Sequence, residues 1–258
     1  MNASGADGIE RLEAHLHGQA FALHRHDTYA IGLTFSGVQT FHFRGEQWHC
    51  LPGQCHILHP DEPHDGGTEA QGGFRYRIVY VDPSLVRAAH GETALPFVAR
   101  PVVDGARIPW ERAFDIWNFD ETLDEIRQTE LVLAAVSLLR AASANVAPRP
   151  PKLDLGRLSR VRELLSASSA EEHSMDELER IADLDRWTLA RQFRAAFGTS
   201  PSRFRIMRRL DQARRSIRSG SSLAEAAIES GFADQSHMSR QFKRAYGLTP
   251  AKWAAMLV

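Results

Sequence analysis

An internal duplication constrains this chain more than any other feature. The run Arg191-Gln192-Phe193-Arg194-Ala195-Ala196-Phe197-Gly198-Thr199-Ser200-Pro201 returns 49 residues later as Arg240-Gln241-Phe242-Lys243-Arg244-Ala245-Tyr246-Gly247-Leu248-Thr249-Pro250. Both copies are punctuated alike. Asp185 and Asp234 are N-cap residues for a helix, Gly198 and Gly247 end it, and Ser200-Pro201 and Thr249-Pro250 supply the next cap and first-turn proline. A short apolar-faced helix precedes each, Met175 to Ala182 and Leu223 to Glu229, with a tight turn at Ser230-Gly231-Phe232 in the second copy. Two helices across a tight turn make a helix-turn-helix. Between the copies, Ile206, Leu210, Ala213 and Ile217 recur at helical spacing from Pro201 to Ser219. One connecting helix of about 19 residues follows, roughly 28 Å long at ~1.5 Å per residue. Major-groove openings on one face of a duplex are ~34 Å apart, so such a connector can present both units to adjacent turns.

Charge points to the same partner. The formal net charge of −1 conceals an imbalance, because residues 157–258 hold 18 of the 31 Lys+Arg but 12 of the 32 Asp+Glu. Local positive charge attracts polyanions whatever the total; a solvated basic face is the blander reading.

The chain's 258 residues, 43% apolar, suffice for two domains. Ala147-Pro148-Arg149-Pro150-Pro151 cannot continue a helix and reads as the linker between them. We expect one domain over 1–146, a linker over 147–156 and a second, basic and helical domain over 157–258. Upstream of the linker, residues 20–81 show short alternating runs between turn signals: Tyr29, Ile31, Leu33 and Phe35, then Ser36-Gly37, then Phe41 and Phe43, then Arg44-Gly45. Period two between turns means antiparallel strands. Further breaks at Pro52-Gly53 and Pro60-Asp61-Glu62-Pro63, before Arg75 to Val81, predict a closed barrel or jelly roll. Residues 121–144 read as a helix with Leu123, Ile126, Glu130, Leu131, Ala134, Leu138 and Leu139 on one face. The fold class is α+β in two domains, an antiparallel barrel with flanking helices followed by an all-α domain. No run approaches a membrane span and the N-terminus lacks a signal-peptide layout, so a soluble cytoplasmic protein is expected.

The segment from Ala227-Ile228-Glu229-Ser230-Gly231-Phe232 through Asp234-Gln235-Ser236-His237-Met238-Ser239-Arg240-Gln241-Phe242 to Gly247-Leu248-Thr249-Pro250 and Trp253 resembles the signature of the AraC/XylS family of transcription regulators. The resemblance covers residues 157–258. It implies that the exposed first turns of two recognition helices face bases: Arg186, Trp187, Thr188 and Arg191 in one unit, Asp234, Gln235, Ser236, His237 and Arg240 in the other. Their chemistry agrees, since Arg pairs with guanine, Gln with adenine, and Trp187 can pack on a thymine methyl or sugar. Arg194, Lys243 and Arg244 suit phosphate contacts. Phe193, Phe197, Phe232, Phe242, Tyr246 and Trp253 recur at helical spacing and read as core. Arg191 and Arg240 can alternatively form salt bridges within the domain.

Nine of the twelve histidines fall in residues 15–64. Gly18-x5-His24-x-His26-x3-Ala30-x6-Gly37 resembles the first cupin motif, and Pro52-Gly53-x2-His56 part of the second. In metal-binding cupins a glutamate ligand stands where this chain has Ala30. Imidazoles at His24, His26 and His56 suit Zn or Fe; the other reading makes them polar lining of a sensing pocket or partly exposed strand residues, and no cofactor is assigned. The resemblance then implies a small effector in the barrel, lined by His24, His26, Tyr29, Phe41, Trp48, His64, Arg75 and Tyr76. Expected partners are duplex DNA, that effector, RNA polymerase and a second copy through helix 121–144, with no membrane. A metal-dependent cupin enzyme joined to a DNA-binding domain is the alternative. Alkyl transfer needs a reactive cysteine near DNA, and residues 56–258 contain none. Cys50 and Cys55, flanking Pro52-Gly53, read as reduced thiols or as a redox bridge.

Overall fold

The computed structural model describes residues 2–91, 95–119, 122–143 and 153–255; the proline-rich segment 147–151 lies outside them. Two compact units result, Met1–Leu23 with Thr28–Pro150, and His24–Asp27 with Pro151–Val258.

Among the described residues, ten strands build the N-terminal part: β1 (Asn2–Ala6), β2 (Ile9–Leu16), β3 (Gln19–His24), β4 (Tyr29–Ser36), β5 (Gln39–Phe43), β6 (Glu46–Cys50), β7 (Cys55–Leu58), β8 (His64–Gly67), β9 (Phe74–Val81) and β10 (Val102–Val103). They form a six-stranded sheet, β1-β2-β9-β4-β7-β10, and a four-stranded sheet, β3-β8-β5-β6. The strand-rich antiparallel architecture matches the expectation from sequence, but strands begin well before residue 20. The hairpin of β1 and β2 escapes a hydrophobicity reading because Arg11 occupies a buried position in β2. Its guanidinium bonds the Asn118 carbonyl at 3.3 Å and stacks on Phe119, which makes that burial tolerable.

Tyr29, Ile31 and Leu33 do share a face of β4, and it is the face turned away from the four-stranded sheet. They pack with Cys55, Ile57, Val79 and Val81 against helices α1 (Pro83–His90) and α3 (Glu125–Ala142), between which lie α2 (Trp110–Ala113) and two short 3-10 turns. Leu131, Ala135, Leu138 and Leu139 supply the α3 side of this core. Asp124 caps α3 by accepting from the Arg127 amide. The helix is shorter than the predicted 121–144: Leu123 precedes it, and Ile126, expected on the buried face, is 70% exposed.

Among the described residues, seven helices make up the C-terminal part: α4 (Leu155–Ala167), α5 (Met175–Ala182), α6 (Arg186–Phe197), α7 (Pro201–Arg218), α8 (Leu223–Glu229), α9 (Gln235–Tyr246) and α10 (Pro250–Ala255). Asp154 caps α4, so the helix starts two residues inside the stretch read as linker. Leu158, Val161 and Leu165 of α4 pack with Leu178, Leu189, Phe193, Phe197 and Phe204 into one core. The duplication extends to side-chain geometry, because Phe193–Phe197 and Phe242–Tyr246 each meet edge-on at 4.7 Å and 61°. Arg209 of α7 donates to the carbonyls of Ser169, Ala170 and Glu171, which fixes the loop after α4.

Candidate nucleic-acid interface and effector chamber

The second helices of the two helix-turn-helix units, the candidate recognition helices, are α6 and α9, and their caps set where each begins. Asp185 accepts from the Trp187 and Thr188 amides at 3.1 Å, and Asp234 accepts from the His237 amide at 2.6 Å. Hydrogen bonds from Thr188 hold the Asp185 carboxyl below its ordinary range. At the far ends Gly198 and Gly247 adopt φ of 75° and 70°, a left-handed conformation that lets the next helix turn away. Capping by Asp234 orients the first-turn amides of α9 but removes its carboxylate as an easy donor-seeking base reader.

The exposed face of α6 carries Trp187, Arg191 and Arg194, with Thr188 half-buried. Trp187 is 76% exposed, an unusual position for an indole and a fit for an apolar contact in a groove. Arg191 reaches the Thr188 hydroxyl at 3.2 Å. Arg186 is differently engaged. Its guanidinium bonds Glu179 and Asp176 of α5 at 2.9 and 2.8 Å, and its amide bonds Glu179 at 2.6 Å. That ion pair ties α5 to α6 across the turn and raises the Arg186 pKa. On α9, Gln235, Ser236, Arg240, Lys243 and Arg244 are exposed, whereas His237 packs edge-on against Phe232 at 5.5 Å. The six aromatic residues read as core divide as follows: Phe193, Phe197, Phe232, Phe242 and Trp253 are buried, and half-buried Tyr246 bonds Asp211 at 3.3 Å.

In the N-terminal part, alternation sorts the effector candidates. Opposite the Tyr29 face, β4 turns Ala30, Gly32 and Thr34 toward the smaller sheet, and β7 turns His56 the same way. Phe41 of β5, paired with Trp48 of β6, lies 5.6 Å from the His56 ring, and Tyr76 of β9 lies 6.3 Å from it. Phe41, Trp48 and Tyr76 thus share the space between the sheets. Tyr29 does not; it bonds the Pro96 carbonyl at 2.8 Å on the helix side. Arg75 also faces away, paired with Glu13, which binds Arg77 at 2.9 Å as well. His64 is buried at the start of β8 and its Nδ1 meets the Glu62 carbonyl at 2.9 Å.

His24 and His26 set their rings 6.1 Å apart. Imidazole nitrogens are the donor type that Zn or Fe takes. Burial pushes His56 down to about 4 and keeps it neutral; the same cause lowers His59 to about 4, with its Nε2 accepting from the Val98 amide at 2.9 Å. Cys50 and Cys55 are free thiols, both buried, and burial pushes Cys50 up to about 12 and Cys55 well above its ordinary value. Neither a bridge nor a reactive thiolate fits.

Sequence reasoning missed Gln39 and Thr34 as inward-facing residues and left His56 open between metal ligand and polar pocket lining. The signal was present for Gln39, which alternates with Phe41 and Phe43 and so shares their face.

Two family models match the chain, an AraC-like ligand-binding domain over residues 8–125 and a helix-turn-helix domain over 178–256. The chain is 26% identical to YbfI of Bacillus subtilis, an uncharacterized HTH-type transcriptional regulator, over 88% of each chain. Among solved structures it is similar in fold to ToxT of Vibrio cholerae, at 11% identity and a TM-score of 0.68, covering 97% of this chain and 99% of that one. ToxT has also been solved bound to unsaturated fatty acid, where the TM-score is 0.65 at 12% identity, covering 97% and 95%, and bound to a methylnaphthalenyl butenoic acid. With an AraC-like ligand-binding domain and a duplicated helix-turn-helix in one chain, the protein is an AraC-type DNA-binding transcription regulator.

Proposed function

We propose that this regulator switches transcription in response to a small effector held between the two sheets, and that α6 and α9 enter adjacent major grooves. The observation that carries this reading is the pair of capped helices whose first turns expose different side chains on one 18-residue connector, α7. At ~1.5 Å per residue α7 spans roughly 27 Å, close to the ~34 Å between groove openings. Trp187, Thr188, Arg191, Gln235, Ser236 and Arg240 read bases; Arg194, Lys243 and Arg244 bind phosphate. Arg186, Asp234 and His237 keep a part in the interface chiefly by shaping these first turns.

Residues 1–146 form the sensing domain, 147–156 the linker and 157–258 the DNA-binding domain. The protein acts in the cytoplasm, has no catalytic role, pairs with a second copy through α3, and acts with RNA polymerase at the promoter. The metal-dependent enzyme finds no support in the family matches, and Ala30 leaves the carboxylate ligand position of that chemistry filled by a methyl group. Among the described residues no helix is long and apolar enough to cross a membrane.

A gel shift of the purified protein on its own upstream region tests the reading. A salt-sensitive complex at least ~1,000-fold tighter than on random DNA is expected; equal binding to both would refute it. Coupling requires that the effector bind the two conformational states differently. An effector that binds with the same affinity with and without operator DNA excludes it.

A further inference from the structure

The space between the sheets has an unusual polar composition around His56. This side chain is 1% exposed, and neither ring nitrogen has a hydrogen-bond partner among the described residues. Trp48 Nε1 and Gln39 Oε1 are buried and unpartnered in the same way, on the two strands that face β7 from the opposite sheet. Buried polar groups in native proteins are paired, so three orphans in one chamber call for a partner from outside the chain.

The fold makes room for this arrangement at specific positions. The central strand β4 turns only small residues inward, Ala30, Gly32 and Thr34. Gly32 is the critical one, because any Cβ there would run into the His56 ring. Phe41 and Tyr76 stand beside that ring and offer flat apolar walls.

Charge then narrows the occupant. The inward positions of β4, β5, β7 and β9 carry no Asp, Glu, Lys or Arg, and the two arginines of β9 bind Glu13 on the other face. Arg100 lies over the Trp48 ring, 5.7 Å from its centroid, but beside the His56 ring itself these strands place no cation to meet a carboxylate that has lost its hydration. The orphan atoms instead form a neutral set. Neutral imidazole offers one donor and one acceptor, the indole one donor, the amide oxygen one acceptor.

We propose that the His56 chamber is the polar subsite of the effector pocket and takes an uncharged, flat aromatic or heteroaromatic molecule bearing both a donor and an acceptor. This rests on the reading of the barrel as the sensing domain and gives its ligand class. It separates this chain from ToxT, whose fatty-acid and butenoic-acid ligands are carboxylic acids.

Benzamide and benzoate, equal in shape and opposite in charge character, test the proposal on the full-length protein. Thermal shift with benzamide or nicotinamide at ten times Kd should raise Tm by about 3–6 °C, while benzoate and decanoate leave it unchanged. His56→Leu should abolish the benzamide shift and raise the Tm of the unliganded protein, since it replaces two orphan nitrogens with apolar atoms. A merely structural His56 predicts the reverse, a lower Tm. Should His56→Leu fail to fold, ¹⁵N spectra of the wild-type histidines decide, because benzamide must shift the buried neutral ring. Carboxylates that bind while the amides do not would overturn the neutral class and leave the barrel a sensor. No binding by benzamide or nicotinamide at 10 mM, with unmoved ¹⁵N signals, overturns the site itself, and the gel shift on operator DNA reports separately on whether the chain is a regulator.

Discussion

Arg186 and Arg191 lie five positions apart on α6 and do different work. Arg186 already bonds Glu179 and Asp176, so its charge is largely answered within the chain, whereas Arg191 donates to the Thr188 hydroxyl and bonds no carboxylate among the described contacts of α6. Arg191→Ala should therefore cost about 1–3 kcal/mol of discrimination at one base position. Lys243→Ala should weaken binding evenly across sequences and lower the salt slope by about 0.9. Arg186→Ala should leave the salt slope unchanged; competition binding on a panel of mutated duplexes at several salt concentrations separates the three. His56 carries a second residue-scale consequence. Its folded pKa is about 4 against an ordinary 6.5, from burial, so the unfolded chain binds a proton that the folded chain refuses. Stability from this group is full above pH 6.5 and falls as pH drops toward 4, by about 3 kcal/mol in all at ~1.36 kcal/mol per pH unit. Denaturant titrations from pH 7 to 4 should show that loss, reduced in His56→Leu; an unchanged pH profile in the variant would contradict it. At this scale the sequence was only partly readable. Asp185, Gly198, Asp234 and Gly247 act through backbone geometry, which is local, and their roles were plain. Which side chains surround His56 is set by strand register between distant parts of the chain, which no local pattern reveals.

Caps and strand faces decide the behaviour of whole elements. Asp234 holds the first turn of α9 with one short bond to the His237 amide, so Asp234→Ala should cost about 1 kcal/mol of stability and should loosen the turn that carries Gln235 and Ser236. Thermal unfolding measures the first effect; operator affinity measures the second. In β4 the alternating pattern correctly announced a strand, and it named which residues share a face. It could not say which face looks inward. Both faces of this strand are buried, one against helices and one against the second sheet, and the larger residues went to the helices. Tyr29 is therefore a packing residue, while Gly32, invisible to a search for apolar side chains, shapes the chamber. Gly32→Ala should destabilise the barrel by roughly 1–3 kcal/mol through overpacking against His56, and a mutant as stable as wild type would show that the ring can move aside. The α3 helix makes a similar point, since Ile126 fits the apolar spacing but lies in the first turn, beyond the sheet it would need for burial.

Across the whole molecule, the duplicated scaffold presents unequal readers. One helix start offers an exposed indole and an arginine, the other an amide, a hydroxyl and an arginine, so an asymmetric site is the expected outcome although the helices carrying them are near copies. The duplication, its caps and the connecting helix were legible because helix-turn-helix units are built from contacts close in sequence. The barrel was legible as an architecture only, because its interior is assembled from strands far apart in the chain. Hydroxyl-radical footprinting of the protein on its own upstream DNA bears most directly on the central claim. Two protected stretches on one face of the duplex, centred about one helical turn or 10 bp apart and different in sequence, are the predicted result. A single protected stretch that persists unchanged when Trp187 and Arg191 are both replaced by alanine would contradict it.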